Sequence, residues 1–203
     1  MNLIDCPACW GTGSETDIIG DPCRRCLGSG HVEDYQFTPH FAFSELVRAH
    51  KGIHNWPPDD ALARIGSLCR DLLEPVRAVV GPLQVTSGYR CQALDCRADA
   101  GNPRWLHEFS GHSWGGAADV GPMLFGVSLA DVVDAAMRVP AWDQLILEGG
   151  CAHLALFCPT SNAQRKQVMV RVPNPARQSD PHAVAYCYEN YRPGDSNQFN
   201  RIT

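Results

Sequence analysis

The sequence predicts an α+β protein with a mainly antiparallel sheet, flanking helices and a small cysteine-rich module at its N-terminus. Apolar residues recur every three or four positions over residues 62–79, as they do on one face of a helix. Short strand-like segments follow, and a cysteine motif occurs twice within residues 1–32. The 203 residues suffice for one core and a small module, so we expect a main domain at residues 38–172 and a C-terminal extension at residues 173–203.

The N-terminal module carries two copies of the pattern C-x-x-C-x-G-x-G, offset by 17 residues. Each copy has the spacing of a zinc knuckle, with glycines where the backbone must curl beneath the sulfurs. Two knuckles complete one tetrahedral site, which predicts a structural zinc in a zinc ribbon, with a disulfide pair or a redox dithiol as the alternative. The predicted ligands are Cys6, Cys9, Cys23 and Cys26. The pattern resembles half of the zinc region of DnaJ-type chaperones, from which chaperone activity does not follow.

The first half of the main domain predicts helices after a linker at residues 31–39. Residues 43–50 predict a short helix with a serine cap before an apolar-periodic turn. Asp59 can cap a longer helix, which Pro75 should kink or break and Gly81 should end.

The second half predicts strands and one further helix. Leu83–Ser87 alternates as a strand does and delivers Arg90 just past its end. Ser128 with Asp131 predicts the start of a helix that runs through Met137. The remaining strands are predicted at residues 144–148, 153–157 and 167–172. Residues 91–109 are interpreted as a long loop, in which Trp105 and His107 could line a cleft or simply face solvent, and residues 173–203 lack periodicity.

A second set of metal-binding residue types follows the strand at residues 83–87. The pattern S-x-H-x-x-G-x-A-x-D is filled at every fixed position over residues 110–119. Ser87-Gly-Tyr-Arg90 precedes it, and Trp142-Asp-Gln-Leu-Ile-Leu-Glu148 follows it. Two imidazoles and a carboxylate can hold a catalytic zinc while leaving its fourth position for water. A His–Asp pair at this spacing alone is more often a hydrogen-bonded structural pair.

Together these motifs resemble the zinc D-Ala-D-Ala carboxypeptidase family, whose members cleave peptidoglycan stem peptides and share a fold with the hedgehog signalling domain. The resemblance covers roughly residues 38–158. It implies that the zinc ligands are His112, Asp119 and His153 and that Arg90 stabilises the transition state. Many relatives place the acidic base three residues before the last histidine, where this chain has Gly150. The role is therefore assigned to Glu148, as a subgroup of the family implies.

The resemblance also implies how these residues would divide the chemistry. Zinc would acidify its bound water and polarise the scissile carbonyl. Arg90 would supply further positive charge to the oxyanion, and Glu148 would carry a proton to the leaving amine. Cys151 lies two residues before His153 and so on the same face of a regular strand. Its thiol could close the zinc site, whereas an ordinary buried cysteine is the simpler interpretation.

Composition limits the function classes. A net charge of −5 disfavours nucleic acid as a partner, because phosphate binding requires a basic surface. No apolar run is long enough for a membrane helix. The first residues lack the positive region and apolar run of a secretory signal, so we expect synthesis in the cytoplasm, with later release to the cell wall or association with a virion.

Two main hypotheses follow. The first is a phage-associated, zinc-dependent peptidoglycan peptidase of carboxypeptidase or endopeptidase type, with one catalytic and one structural Zn²⁺ and a stem peptide as substrate. The second is a structural or binding virion component that keeps the peptidase fold and zinc site with little or no activity. A protein partner could bind the zinc ribbon or the C-terminal extension in either case. A chaperone-like or nucleic-acid-binding module would rest on the knuckles alone, and the overall charge argues against it.

Overall fold

The computed structural model describes residues 2–14, 21–98, 110–161, 163–173 and 186–193. These residues form an α+β fold with a mainly antiparallel six-stranded sheet, as the sequence predicts, and two small two-stranded sheets. Trp105 and His107 lie outside the described residues. Within the described ranges, every helix is too short or too polar to cross a bilayer.

The helices and strands are numbered along the chain. The first group is β1 (Leu3–Asp5), β2 (His31–Glu33), β3 (Gln36–Thr38), β4 (Phe41–Ala42), α1 (Phe43–Leu46), α2 (Asp59–Leu68), a π-helical turn (Cys69–Leu73) and α3 (Glu74–Val80). The second group is β5 (Leu83–Ser87), α4 (Gln92–Ala98), β6 (Ala117–Pro122), α5 (Leu129–Met137), β7 (Gln144–Leu147), β8 (Ala152–Ala155), β9 (Gln167–Pro173) and β10 (Tyr186–Asn190). Most predicted elements are therefore present, with shifted ends.

The main sheet has the strand order β10-β9-β7-β8-β6-β5. Only the β7–β9 pair is parallel among these neighbours, and the other pairs are antiparallel. α5 packs on β7 and β8 and also contacts α3. The helices and the sheet share one apolar core, in which Leu68, Leu72, Leu145 and Leu154 are fully buried. Burying this apolar surface is the main favourable contribution to the folding of the domain.

The long helical segment at residues 59–80 departs from its predicted ends. Pro58, not Asp59, occupies the N-cap position, and no side chain caps the helix there. Pro75 does not break the segment, because the π-helical turn precedes it. In that turn the amide of Glu74 donates to the carbonyl of Cys69, five residues earlier. This i to i+5 hydrogen bond is the π-helical pattern, which occurs where an α-helix is locally irregular. Gly81 ends the helix with a positive φ of 86°, as predicted.

The prediction of a linker at residues 31–39 is wrong, since β2 and β3 occupy most of this segment. β2 pairs with β1, and β3 pairs with β4. The helix predicted after it shortens to α1, and Ser44 is not its cap. Glu45 Oε2 instead accepts the Ala42 amide at 2.8 Å, while the Ser44 hydroxyl donates to Asp34 Oδ2 at 2.8 Å.

Three later segments agree with the predicted elements to different degrees. The cap of α5 is confirmed, since the Asp131 amide donates to Ser128 Oγ at 3.2 Å. The loop prediction for residues 91–109 is wrong in its first part, where α4 forms. β10 lies in the extension that lacked periodicity, and it pairs with β9 at the edge of the main sheet. The Tyr191 hydroxyl after it donates to Asp134 Oδ1 at 3.0 Å, so this part of the extension packs on the domain.

Asp143, just before β7, is the fully buried half of an ion pair. Its Oδ1 accepts the Arg165 amide at 2.7 Å, and its Oδ2 accepts Arg165 Nε at 2.9 Å. We expect Asp143→Asn to lower the free energy of unfolding by about 2 kcal/mol, because charge-assisted hydrogen bonds to a buried carboxylate are lost. Urea unfolding measures this change. Asp71→Asn removes half of an exposed ion pair and should cost less than about 1 kcal/mol, and equal losses would contradict the prediction.

Candidate metal centres

The four cysteines of the N-terminal module come together at the base of β1 and β2. They are free, buried thiols, and their sulfurs all lie within 4.8 Å of one another. Cys6 Sγ lies 3.9 Å from Cys23 Sγ, and Cys9 Sγ lies 3.7 Å from Cys26 Sγ. Zinc–sulfur bonds of about 2.3 Å place tetrahedral sulfurs about 3.8 Å apart, whereas a disulfide needs about 2.05 Å. The four cysteines therefore fit a metal ion and not a disulfide pair.

Backbone amides beneath the sulfurs support this interpretation. The amide of Gly13 donates to Cys9 Sγ, and the amide of Gly30 donates to Cys26 Sγ, each at 3.3 Å. A Cβ at Gly13 would lie 2.4 Å from the carbonyl oxygen of Gly28, so only glycine fits where the two knuckles pack against each other. These hydrogen bonds hold the backbone of both glycine turns against the sulfurs.

Replacing one cysteine tests the ribbon. We expect Cys23→Ser to lower bound metal by one equivalent and to loosen the first 30 or so residues, because a segment this short has little core of its own. Elemental analysis measures the metal, and limited proteolysis measures the loosening. Cys69→Ser is the matched control, since Cys69 is also a buried free thiol but belongs to the helical core. Unchanged metal in Cys23→Ser would contradict the ribbon.

The second group of candidate ligands lies at the centre of the main sheet. Asp119 on β6 and His153 on β8 are direct cross-strand partners. Neighbouring strands thus bring together two side chains that are 34 residues apart in the chain. His112 joins them from the turn that precedes β6. All three side chains are buried, with His112 only 3% exposed and Asp119 and His153 each 9% exposed.

The three side chains converge through one atom each. His153 Nδ1 lies 2.9 Å from Asp119 Oδ1, and His112 Nε2 lies 3.2 Å from both of these atoms. Zinc bonds of about 2.0–2.1 Å would place tetrahedral ligand atoms about 3.3 Å apart. His112 Nδ1 lies 2.8 Å from the carbonyl oxygen of Gly88, which orients the ring and leaves Nε2 for a ligand. Two nitrogens and one oxygen at these separations fit a divalent metal such as zinc.

Two glycines allow the close backbone packing that positions His112. Gly115, the fixed glycine of the motif, has φ of +72°, and a Cβ there would lie 2.6 Å from the carbonyl oxygen of Ala61. Gly88 is packed even more closely, since its Cβ would lie 2.2 Å from the carbonyl oxygen of Leu46. A larger residue at either position would displace the turn of His112 or the carbonyl that orients its ring.

Arg90 lies beside the group. Its Nη1 is 3.9 Å from Asp119 Oδ2, the carboxylate oxygen that does not face the histidines. Its Nε is 2.7 Å from Asp95 Oδ1, and Asp95 on α4 is almost fully buried. Asp95 was missed from the sequence, where a single acidic residue in an apparent loop gives no signal. It holds the guanidinium in place next to the candidate metal ligands.

Glu148 follows β7 and begins a tight turn that leads into β8. Its amide donates to the Cys151 carbonyl at 3.0 Å, and this hydrogen bond closes a turn that contains Gly149 and Gly150. Its Oε2 lies 3.0 Å from Arg171 Nη1 on β9. Burial raises the pKa of the Glu148 carboxyl, Arg171 opposes that rise, and the nearby charge of Asp119 adds to it. Arg171 was not identified from the sequence as a site residue. A single arginine within an otherwise apolar predicted strand is the feature that could have indicated it.

Cys151 does not join the candidate ligands. Its sulfur lies 3.7 Å from Glu148 Oε2 and is not among the converging ligand atoms. Burial raises the pKa of the Cys151 thiol to about 12, with Asp119 and Glu148 adding to the rise. The group of two histidines and one aspartate is therefore not closed by this cysteine.

Comparison of the chain with protein-family models, with curated proteins and with solved structures found no match. The resemblance to zinc D-Ala-D-Ala carboxypeptidases therefore stays a prediction from the sequence motifs. The geometry adds that His112, Asp119 and His153 converge, with Arg90 close to Asp119.

Proposed function

We propose that the chain is a zinc-dependent peptidase that cleaves amide bonds in peptidoglycan stem peptides, as a D-Ala-D-Ala carboxypeptidase or an endopeptidase. The observation that carries the proposal is the convergence of two imidazole nitrogens and one carboxylate oxygen in a buried group. These are His112, Asp119 and His153. A zinc ion bound there would supply a Lewis acid and acidified water at neutral pH.

Arg90 would meet the negative charge that develops on the scissile carbonyl oxygen. The ion pair with Asp95 fixes its guanidinium before substrate arrives. A fixed positive charge in a partly dry site costs no reorganisation during the reaction, which is why such groups contribute strongly to catalysis. Ser87 Oγ also accepts from Arg90 Nη1 at 3.4 Å, so the side chain is held at both ends of the guanidinium.

Glu148 would carry the proton. It would accept a proton from the attacking water and pass it to the leaving amine. Its side chain is largely buried, and burial raises the pKa of its carboxyl, while Arg171 opposes that rise. Arg171 orients the carboxylate from β9, the strand that pairs directly with β7.

The rest of the chain would serve this site. The zinc ribbon would have a structural metal, and a protein partner could bind the ribbon or the C-terminal extension. A phage-associated enzyme, made in the cytoplasm and acting at the cell wall, is the setting that we propose, without nucleic acid or membrane as a partner.

Metal removal and return tests the proposed function. The chelator-treated protein should not cleave stem peptides, and stepwise zinc addition should restore cleavage when the histidine site fills. Spectroscopy of cobalt-substituted protein can tell the two sites apart, because thiolate and imidazole ligands give different absorption bands. Cleavage that persists without metal would contradict the proposal.

A structural or binding role is the second candidate, and one observation favours it. Arg90 and Glu148 each already have an ion-pair partner, as they would in a site that only stabilises the domain. Such a protein would bind both metals, and removing the metal of the histidine site would lower stability without loss of any catalytic activity. Absence of cleavage products with both metals bound would support this role.

A further inference from the structure

A buried asparagine lies between the zinc ribbon and the segment that carries Arg90. Asn55 is fully buried, and its backbone amide donates to the carbonyl of Pro7 at 2.9 Å. Pro7 belongs to the first knuckle, directly after Cys6. The turn that two metal-binding cysteines define is therefore hydrogen-bonded to the main domain at this residue.

The side chain of Asn55 binds the backbone on both sides of Arg90. Its Oδ1 accepts the amide of Cys91 at 2.8 Å, and its Nδ2 donates to the carbonyl of Tyr89 at 3.3 Å. Nδ2 also donates to the carbonyl of Arg48 at 3.0 Å. Both donors and the acceptor of the amide are thus used, and a fully satisfied polar group in the core favours a single backbone arrangement.

The next residue reinforces the connection. Trp56 packs against both the cysteine cluster and the apolar core. The guanidinium of Arg25, in the second knuckle, lies 5.1 Å from the centre of its ring. Pro57 and Pro58 follow and restrict the backbone before α2. Both knuckles therefore contact a stiff segment, and that segment holds the backbone around Arg90.

We propose that Asn55 is a positioning residue through which the metal-bound ribbon fixes Arg90 for catalysis. Metal binding by Cys6 and Cys9 would hold the first knuckle. The Pro7 carbonyl accepts the Asn55 amide, and the Asn55 side chain hydrogen-bonds to the backbone of Tyr89 and Cys91. The role of Arg90 in this proposal rests on the proposed function. The structural coupling does not, so the two can fail separately.

Amide hydrogen exchange on the full, zinc-loaded chain tests the coupling without any assay of hydrolysis. In Asn55→Ala the Cys91 amide loses its acceptor and should exchange about tenfold faster or more, with ribbon metal retained. In Cys23→Ser the amides of Asn55 and Cys91 should both exchange faster, with metal in the histidine site retained. Ser29→Ala is the control, because it removes bonds to Cys26 and His31 backbone within the second knuckle and leaves the Pro7 bond intact.

An unchanged Cys91 exchange rate in either variant, with the stated metal retained, would overturn the coupling. If circular dichroism shows that Asn55→Ala does not fold, the Cys23→Ser comparison decides alone. On stem peptides, Asn55→Ala should lower kcat by about ten- to a hundredfold with little change in KM. A displaced Arg90 would stabilise the transition state less, while the binding of the substrate would stay the same. A rise in KM at constant kcat would contradict a positioning role.

Discussion

His112→Ala should abolish hydrolysis and lower bound metal by one equivalent, while the ribbon keeps its zinc. The substitution removes Nε2, which lies 3.2 Å from both other ligand atoms. A site left with two protein ligands holds zinc poorly, since catalytic zinc sites use three. Metal content of the purified variant and its rate on stem peptides measure the two effects.

The control for this variant is His54→Ala. His54 is exposed and takes no part in either metal group. Its replacement should leave metal content and rate unchanged. Full activity in His112→Ala would refute the site, because no account of catalysis here can do without this ligand.

Glu148→Gln should leave the metal content unchanged and lower kcat by a factor on the order of 100 or more, the scale of a lost general base. The amide has the shape of the carboxylate and can still accept from Arg171, so the turn should keep its conformation. It cannot accept a proton from water at neutral pH. Steady-state kinetics with each metal quantified separates this effect from loss of zinc.

The matched control is Glu33→Gln on β2, where an exposed glutamate loses its charge far from the histidine site in sequence. Its rate should equal that of the wild type. An unaffected rate in Glu148→Gln would mean that the proton is carried by another group.

The candidate metal ligands could be predicted from the sequence because their spacing within each motif is short and regular. Two cysteines in each knuckle, and His112 with Asp119 in one motif, are fixed by short stretches of chain. His153 was found through the order of the motifs, and the β6–β8 register then explains why it meets Asp119. Strand β6 itself was not predicted, because Asp119 and glycine interrupt its apolar pattern.

The partners of the site residues could not be predicted in the same way. Asp95 forms an ion pair with Arg90, and Arg171 forms one with Glu148. The side chain of Asn55 hydrogen-bonds to the backbone on either side of Arg90. A single charged or amide side chain has no periodicity, and its partner is chosen by tertiary packing. The π-helical turn before Pro75 and the edge strand β10 were missed for the same reason, since neighbouring elements determine both.

We propose above all that this chain hydrolyses peptidoglycan stem peptides at its histidine site. The most direct measurement is to incubate the zinc-loaded protein with purified peptidoglycan and its stem peptides and to identify the released fragments by mass spectrometry. We expect new peptide ends at one type of amide bond, present with wild-type protein and absent with His112→Ala. No products across peptidoglycans of different stem-peptide chemistry, with both metals bound, would contradict the claim and favour the structural role.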